Sequence, residues 1–364
     1  MPYNGTTNMP LRWLTLTFAL LLGGCSTLDY YSHLASGQLH LLNARQPVDK
    51  LLNDSATSPE LKKRLQLAQQ ARDFASRELS LPDNQSYRLY ADLQRPFVLW
   101  NVFVTPEFSL SPQLHCFPIA GCVAYRGFYD QNRARGAAAL LKQQGLDTYM
   151  GGVEAYSTLG WFNDPLLNTM LRWNEERFIA VIFHELAHQQ LYVANDTAFN
   201  ESFATFVEQE GLRQWRAKNN LPPADPNADK QRQQFTALVL ATRERLQTLY
   251  DSDLPAEQMR SAKQAEIETL RQQYRHLRDT QWQGAGRYDG WVETPINNAK
   301  LLPFGLYDQW VPAFARLYDE AGRNWPAFYA QVAQLGQLAA NERQDKLHQL
   351  TAQPRTLANR KDSN

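Results

Sequence analysis

Histidine and cysteine are scarce in this chain, at 7 and 3 among 364 residues. Three cysteines exclude a disulfide-rich scaffold. Neither sign of charge is in excess, with 37 basic against 37 acidic residues, so the composition implies no nucleic-acid partner. The one marked apolar run, Trp13-Leu-Thr-Leu-Thr-Phe-Ala-Leu-Leu-Leu22, is too short to span a bilayer comfortably. There is no internal repeat and no long low-complexity tract. What is present is core material: 43% hydrophobic and 12% aromatic residues, in a length suited to one large or two medium domains.

Two of the few histidines stand four residues apart in Phe183-His184-Glu185-Leu186-Ala187-His188. At about 100° per residue, positions i and i+4 share one helix face, so both imidazoles can reach one metal ion, zinc being the natural candidate. Glu185 then points beside the metal, where a carboxylate can take a proton from water and pass it to a leaving amine. This is the H-E-x-x-H pattern of a metal-dependent peptide hydrolase. The preceding run Arg177-Phe-Ile-Ala-Val-Ile-Phe183 is apolar, and neither Pro nor Gly interrupts 174–193, so the site-bearing helix is expected to be buried.

A catalytic zinc takes three protein ligands and keeps one position open. Downstream, Asp196-Thr-Ala-Phe-Asn-Glu201-Ser-Phe-Ala-Thr-Phe-Val-Glu208-Gln-Glu210-Gly211 reads as a second helix, with Asp196 as N-cap and Gly211 as a weak point near its end. Glu201 is the expected third ligand, across a short loop. Glu208, seven residues on and on the same face, is placed to hydrogen-bond a ligand imidazole.

His184-Glu-Leu-Ala-His188 with Asn200-Glu201-Ser-Phe-Ala-Thr-Phe-Val-Glu208 resembles the zinc aminopeptidases of the gluzincin group, whose second motif reads Asn-Glu-Gly-Phe-Ala with a further Glu seven residues on. Here Ser202 replaces Gly, and the gap after the second His is several residues shorter than in the aminopeptidase N type. More closely, the stretches Ala155-Tyr-Ser-Thr-Leu-Gly-Trp-Phe162, Phe183-His-Glu-Leu-Ala-His-Gln189, Phe199-Asn-Glu-Ser-Phe-Ala204 and Ile296-Asn-Asn-Ala299 are similar to a family of bacterial lipoproteins described as predicted aminopeptidases. The gluzincin resemblance implies an edge strand upstream of the metal helix that pairs with the substrate backbone. Gly151-Gly152-Val-Glu154-Ala155 sits where that strand belongs, and Gly152 would permit close backbone approach. An ordinary turn is the other reading of the Gly-Gly pair. Glu154 is the expected holder of a substrate α-ammonium. The resemblance also implies a hydroxyl or imidazole opposite the base that stabilises the oxyanion, for which Tyr288, Tyr307 and Tyr156 are candidates.

Residues 1–24 read as a lipoprotein signal: Arg12, the apolar run, then Gly23-Gly24-Cys25. Met9 is an alternative start. Small residues before Cys25 resemble the bacterial lipobox, whose cysteine is acylated and becomes the mature N-terminus anchored in a lipid bilayer. Ser26, rather than Asp, favours the outer membrane, facing the periplasm. In that oxidising compartment Cys116 and Cys122 are expected to form a disulfide closing a small loop.

The expected architecture is α+β, a mostly helical zincin-like metallopeptidase with a small mixed sheet and a long helical hairpin insertion. After the signal, 25–172 carries helices at 38–52, 58–79 and 131–144 and strands at 96–104, 122–129 and 147–156. Residues 173–220 form the zinc-binding helix pair, 221–283 the hairpin, broken near Asp253-Leu-Pro255, and 284–364 a C-terminal helical region. The hairpin reads as a solvated insertion or as a docking arm. The function expected is a zinc-dependent peptide hydrolase acting on a peptide or protein. Aminopeptidase action is implied by resemblance, while an envelope endopeptidase with the same zinc, or a non-catalytic lipoprotein scaffold or chaperone, stays open.

Cys25→Ser should block acylation and alter membrane fractionation while sparing catalysis, because the anchor precedes every expected ligand. Mass spectrometry of the wild-type N-terminal peptide checks this; an unmodified Cys25 thiol refutes it.

Overall fold

A computed structural model describes residues 27–117, 121–155, 157–223, 225–305 and 309–352. It is about 60% helical with small sheets, an α+β architecture. A helix over 27–43 (α1) leads into strand β1, Arg45–Pro47, and helix α2, Val48–Asn53. The apolar spacing over 38–52 reads as one helix, yet the structure divides it. Pro47 has no N–H to give and disfavours helical geometry at Gln46, so this segment pairs antiparallel with β2, Leu89–Ala91. Between them, α3, Pro59–Arg77, begins as the sequence suggests, with Ser58 accepting from the Leu61 N–H and Pro59 in the first turn.

The next elements are β3, Leu99–Thr105; β4, His115–Phe117; β5, Gly121–Val123; β6, Tyr125–Phe128; α4, Gln131–Gln143; β7, Asp147–Val153; and β8, Leu166–Leu167. In place of one mixed sheet there are three among the described residues: β1-β2-β8, β6-β3-β7 and the two-stranded β4-β5. The central sheet is antiparallel with β7 at an edge. Period-two alternation gives β3 two working faces. Trp100, Val102 and Val104 pack with Phe128, with Ala134 of α4 and with Tyr30 of α1, while Phe103 turns the other way, toward Tyr125, Tyr149, Ala299 and Leu302.

Next come α5, Glu175–Gln190, and α6, Thr197–Lys218, which pack closely against each other. α5 is buried nearly all round: Phe178, Ile179, Ile182, Phe183, Leu186 and Ala187 are at most 3% exposed. Asn174 caps it by accepting from the Arg177 N–H, and Asp196 caps α6 through Phe199. Gly211 does not weaken the end of α6, which runs on to Lys218. A Cβ there would stand 2.7 Å from Leu79 Cδ1 and 3.0 Å from Phe183 Cδ2, so the glycine is what lets α6 approach α5.

α7, Pro226–Tyr250, and α8, Ala256–Thr280, form the hairpin, separated at 251–255. Its core of Phe235, Val239, Leu246, Ile267, Leu270 and Tyr274 also packs against Trp282, Val292 and Ile296. Four helices follow α9, Asp289–Glu293: α10, Asn298–Leu301; α11, Val311–Glu320; α12, Trp325–Gly336; and α13, Ala340–Ala352. No helix among the described residues is long and apolar enough to cross a membrane.

The hairpin is bolted to the central sheet by a buried polar knot. Lys263 Nζ donates to Asp147 Oδ2 at 2.6 Å and to the Glu107 carbonyl at 2.8 Å. Asn298 donates its backbone N–H to the same Asp147 oxygen and its side-chain amide to the Glu107 and Ser109 carbonyls. Asn297 reaches the Thr148 carbonyl on β7. The Asn-Asn pair of the sequence is therefore a structural clamp. Asp147→Ala should leave Lys263 buried without its partner and cost about 3 kcal/mol of stability, read by urea denaturation; a loss of a few tenths would show that the pair does not hold the hairpin.

Candidate metal centre

His184, Glu185 and His188 are each at least nine-tenths buried, and both histidines face carboxylates of α6. The loop joining the two helices is short because Asn200 closes it: its side chain accepts from the Val193 N–H at 2.8 Å and donates to the Val193 carbonyl at 2.7 Å. Ser202, at the position of the gluzincin glycine, accepts from the Trp310 N–H and ties the second helix to α11. With α6 so placed, Glu201 Oε2 lies 3.3 Å from His184 Nε2 and 3.7 Å from His188 Nε2. Glu208 Oε2 meets the other nitrogen of His184, Nδ1, at 3.0 Å.

His184, His188 and Glu201 can hold a metal ion, their ligand atoms all lying within 4.8 Å of one another. Ligands at about 2.1 Å in a tetrahedron stand about 3.4 Å apart, and the two contacts to Glu201 are close to that spacing. Glu208, accepting from Nδ1 of His184, fixes the tautomer that leaves Nε2 with a lone pair. Nδ1 of His188 is buried with no hydrogen-bond partner among the described residues, so no described group sets that tautomer. Charge points the same way. Burial works against a charged His184, but its hydrogen bonds to Glu201 and Glu208 outweigh burial and raise its pKa well above the usual value. Burial likewise pushes Glu201 up, and the charge of His188 with hydrogen bonds from both imidazoles overcomes it, leaving the carboxyl far below the ordinary range. The acidic groups around the two imidazoles thus favour positive charge at this centre. Glu185 is raised, by burial first, with the two histidines pulling the other way.

Among the described residues, two tyrosines without a motif lie close enough to this centre to interact with it. Tyr125, at the start of β6, has its hydroxyl pKa raised by burial and then by the nearby charges of Glu201, Tyr192 and Glu185, which keeps it a proton donor. Tyr192 lies just past α5, its ring 6.4 Å from that of His188. Tyr192 could have been noticed as His188 plus four. Tyr125 had no such signal, because only strand pairing carries it to the helix.

The remaining expected site residues lie elsewhere or outside the described residues. Tyr288 is not brought to the centre: its ring stacks on Phe235 at 3.9 Å in the hairpin core. Glu154 does not present a free carboxylate, because Trp173 Nε1 at 2.8 Å and Arg177 at 3.0 Å occupy it, with Arg172 at 3.6 Å. Gly152 lies on the edge strand, but the close neighbour that excludes a side chain there is the Phe97 ring. Cys25, Tyr156 and Tyr307 fall outside the described residues. Cys116 and Cys122 are bonded to each other across β4 and β5, where they are register partners. This hairpin rests on the α5–α6 loop, with the Cys122 N–H donating to Asn195 Oδ1 at 2.9 Å, and leads directly into Tyr125.

No curated protein and no solved structure matches the chain. A family model does: the one described as "Putative aminopeptidase" matches residues 29–347, which span the central sheet, the metal-centre helices and the hairpin. The chain belongs to that family.

Proposed function

We propose that the protein is a zinc-dependent aminopeptidase in which His184, His188 and Glu201 hold the metal and Glu185 is the general base. The observation that carries this reading is the convergence of the two Nε2 atoms on one Glu201 oxygen, with Glu208 on the far nitrogen of His184. Zinc held there would supply Lewis acidity toward the scissile carbonyl and an acidified water. Glu185, beside the ligand set and with a raised pKa, takes the proton of the attacking water and returns it to the departing amine. Its buried setting excludes bulk water from that transfer. Tyr125, held in the protonated form, donates toward the oxyanion that develops on the carbonyl. β7, as an edge strand, has backbone groups with which an extended peptide can pair. A zincin-like fold and anchoring at the outer membrane through Cys25 belong to the same proposal, and the Cys116–Cys122 bond suits an oxidising periplasm.

Base and ligands should separate by mutation. Glu185→Gln is expected to abolish hydrolysis of peptides with a free N-terminus while zinc content, read by atomic absorption, stays near wild type. Glu201→Ala should lose the metal. Substantial turnover by Glu185→Gln removes it as base; equal cleavage of N-acetylated peptides by the wild type replaces aminopeptidase with endopeptidase.

Tyr125→Phe keeps the packing and deletes the donor. Its kcat should fall about a hundredfold with KM little changed; a change confined to KM would place the hydroxyl in substrate binding and not in oxyanion stabilisation.

A further inference from the structure

Residues 157–164, between β7 and β8, make a loop built on one buried carboxylate. Asp164, 4% exposed, accepts from the Thr158 N–H at 2.9 Å, Thr158 Oγ1 at 2.7 Å, Ser157 Oγ at 3.3 Å and Gln189 Nε2 at 3.3 Å. The Tyr87 N–H donates to its carbonyl, and its own N–H donates to Ser86. The turn is also closed on itself. Trp161 N–H donates to the Thr158 carbonyl and Phe162 N–H to Thr158 Oγ1, both at 3.1 Å. At the tip, Leu159 and Gly160 are left-handed, at φ 56° and 82°. A leucine adopts that conformation only where its surroundings impose it, and such positions cluster at ligand clamps.

This fixed turn carries Trp161 and Phe162, 66% and 46% exposed, the two most exposed aromatic side chains among the described residues. Single exposed hydrophobics need no explanation. Two adjacent ones, held out on an imposed turn, do. Their location supplies it: the anchor Gln189 is four residues beyond Glu185 on α5, so it follows the base along one helix face, and Gly160 lies against the Gln189 side chain. Asp164 is near enough for its charge to act on Glu185.

We infer that Trp161 and Phe162 form the apolar wall of the substrate cleft beside Glu185, taking a large apolar side chain of the peptide next to the scissile bond and selecting it over small residues. The inference rests on the peptidase reading of the metal centre. A substrate is favoured over a membrane because the hydrogen bonds that fix the turn tie it to the helix of the base. A tip that dips into lipid would need no such tie.

The test uses the zinc-loaded full-length protein carrying Glu185→Gln, so that binding is read without cleavage. Calorimetry compares a tetrapeptide beginning Phe-Phe with one beginning Gly-Gly. Adding Trp161→Ala and Phe162→Ala should weaken the Phe-Phe peptide about tenfold or more and the Gly-Gly peptide less than about twofold. Because both side chains are exposed, the thermal melt should not move. Equal effects on the two peptides, or none, overturn the inference. So does unchanged peptide affinity combined with quenching of Trp161 by brominated phosphatidylglycerol vesicles, which would make the loop a membrane contact. If the wild type cleaves no peptide but the Phe-Phe preference is present and lost on substitution, the wall stands and the catalytic reading falls.

Discussion

The close packing of α5 on α6 is the contact on which the candidate metal centre depends. Gly211 permits it by leaving room for Leu79 and Phe183, and Asn200 limits the connecting loop by binding both backbone groups of Val193. Only at that separation can a carboxylate on one helix stand 3.3 Å and 3.7 Å from two imidazoles on the other. The apolar residues around both helices, including Phe178, Phe183, Phe199 and Phe203, each fully buried, hold the polar groups in a largely desolvated place. Burial then makes their mutual electrostatics strong.

That burial accounts for the opposed pKa shifts at one centre. The same loss of solvent raises Glu185 and is overcome at Glu201, because Glu201 faces both imidazoles through hydrogen bonds and Glu185 does not. Two carboxylates on adjacent helices are thereby suited to different work: one remains an anion available to a cation, the other can carry a proton. Glu208 adds a third acidic group whose contact is orientation, through His184 Nδ1.

Around this pair of helices the other elements serve as supports. The central sheet brings Tyr125 near enough for the charges of Glu201 and Glu185 to act on it, the Cys116–Cys122 hairpin rests on the α5–α6 loop, and the 157–164 loop is pinned to Gln189. The α7–α8 hairpin is less a solvated insertion than a docked one. Its Lys263 is 5% exposed and shares Asp147 with the backbone of Asn298, so hairpin, sheet edge and α10 meet at one carboxylate.

The sequence by itself determined the local features: His184 and His188 on one helical face, Asp196 as a cap, a helix beginning near residue 58, the break between the two hairpin helices and a cysteine pair close enough to bond. These are readable because helix periodicity and capping act over three or four residues. It misread Pro47 within a helical pattern, Gly211 as a weak helix end and one mixed sheet where there are three, since each outcome depends on what lies opposite in space. The spacing to Glu201 and Glu208 was legible as a pattern, but their approach to the imidazoles was set by the α5–α6 contact. Tertiary structure alone decided that Tyr125 joins the centre while Tyr288 stacks in the hairpin core, and that Glu154 is occupied by Trp173 and Arg177. With 16 tyrosines in the chain, residue type says nothing about which hydroxyl is near a metal helix; strand register and long-range packing say it, and those are properties of distant segments meeting.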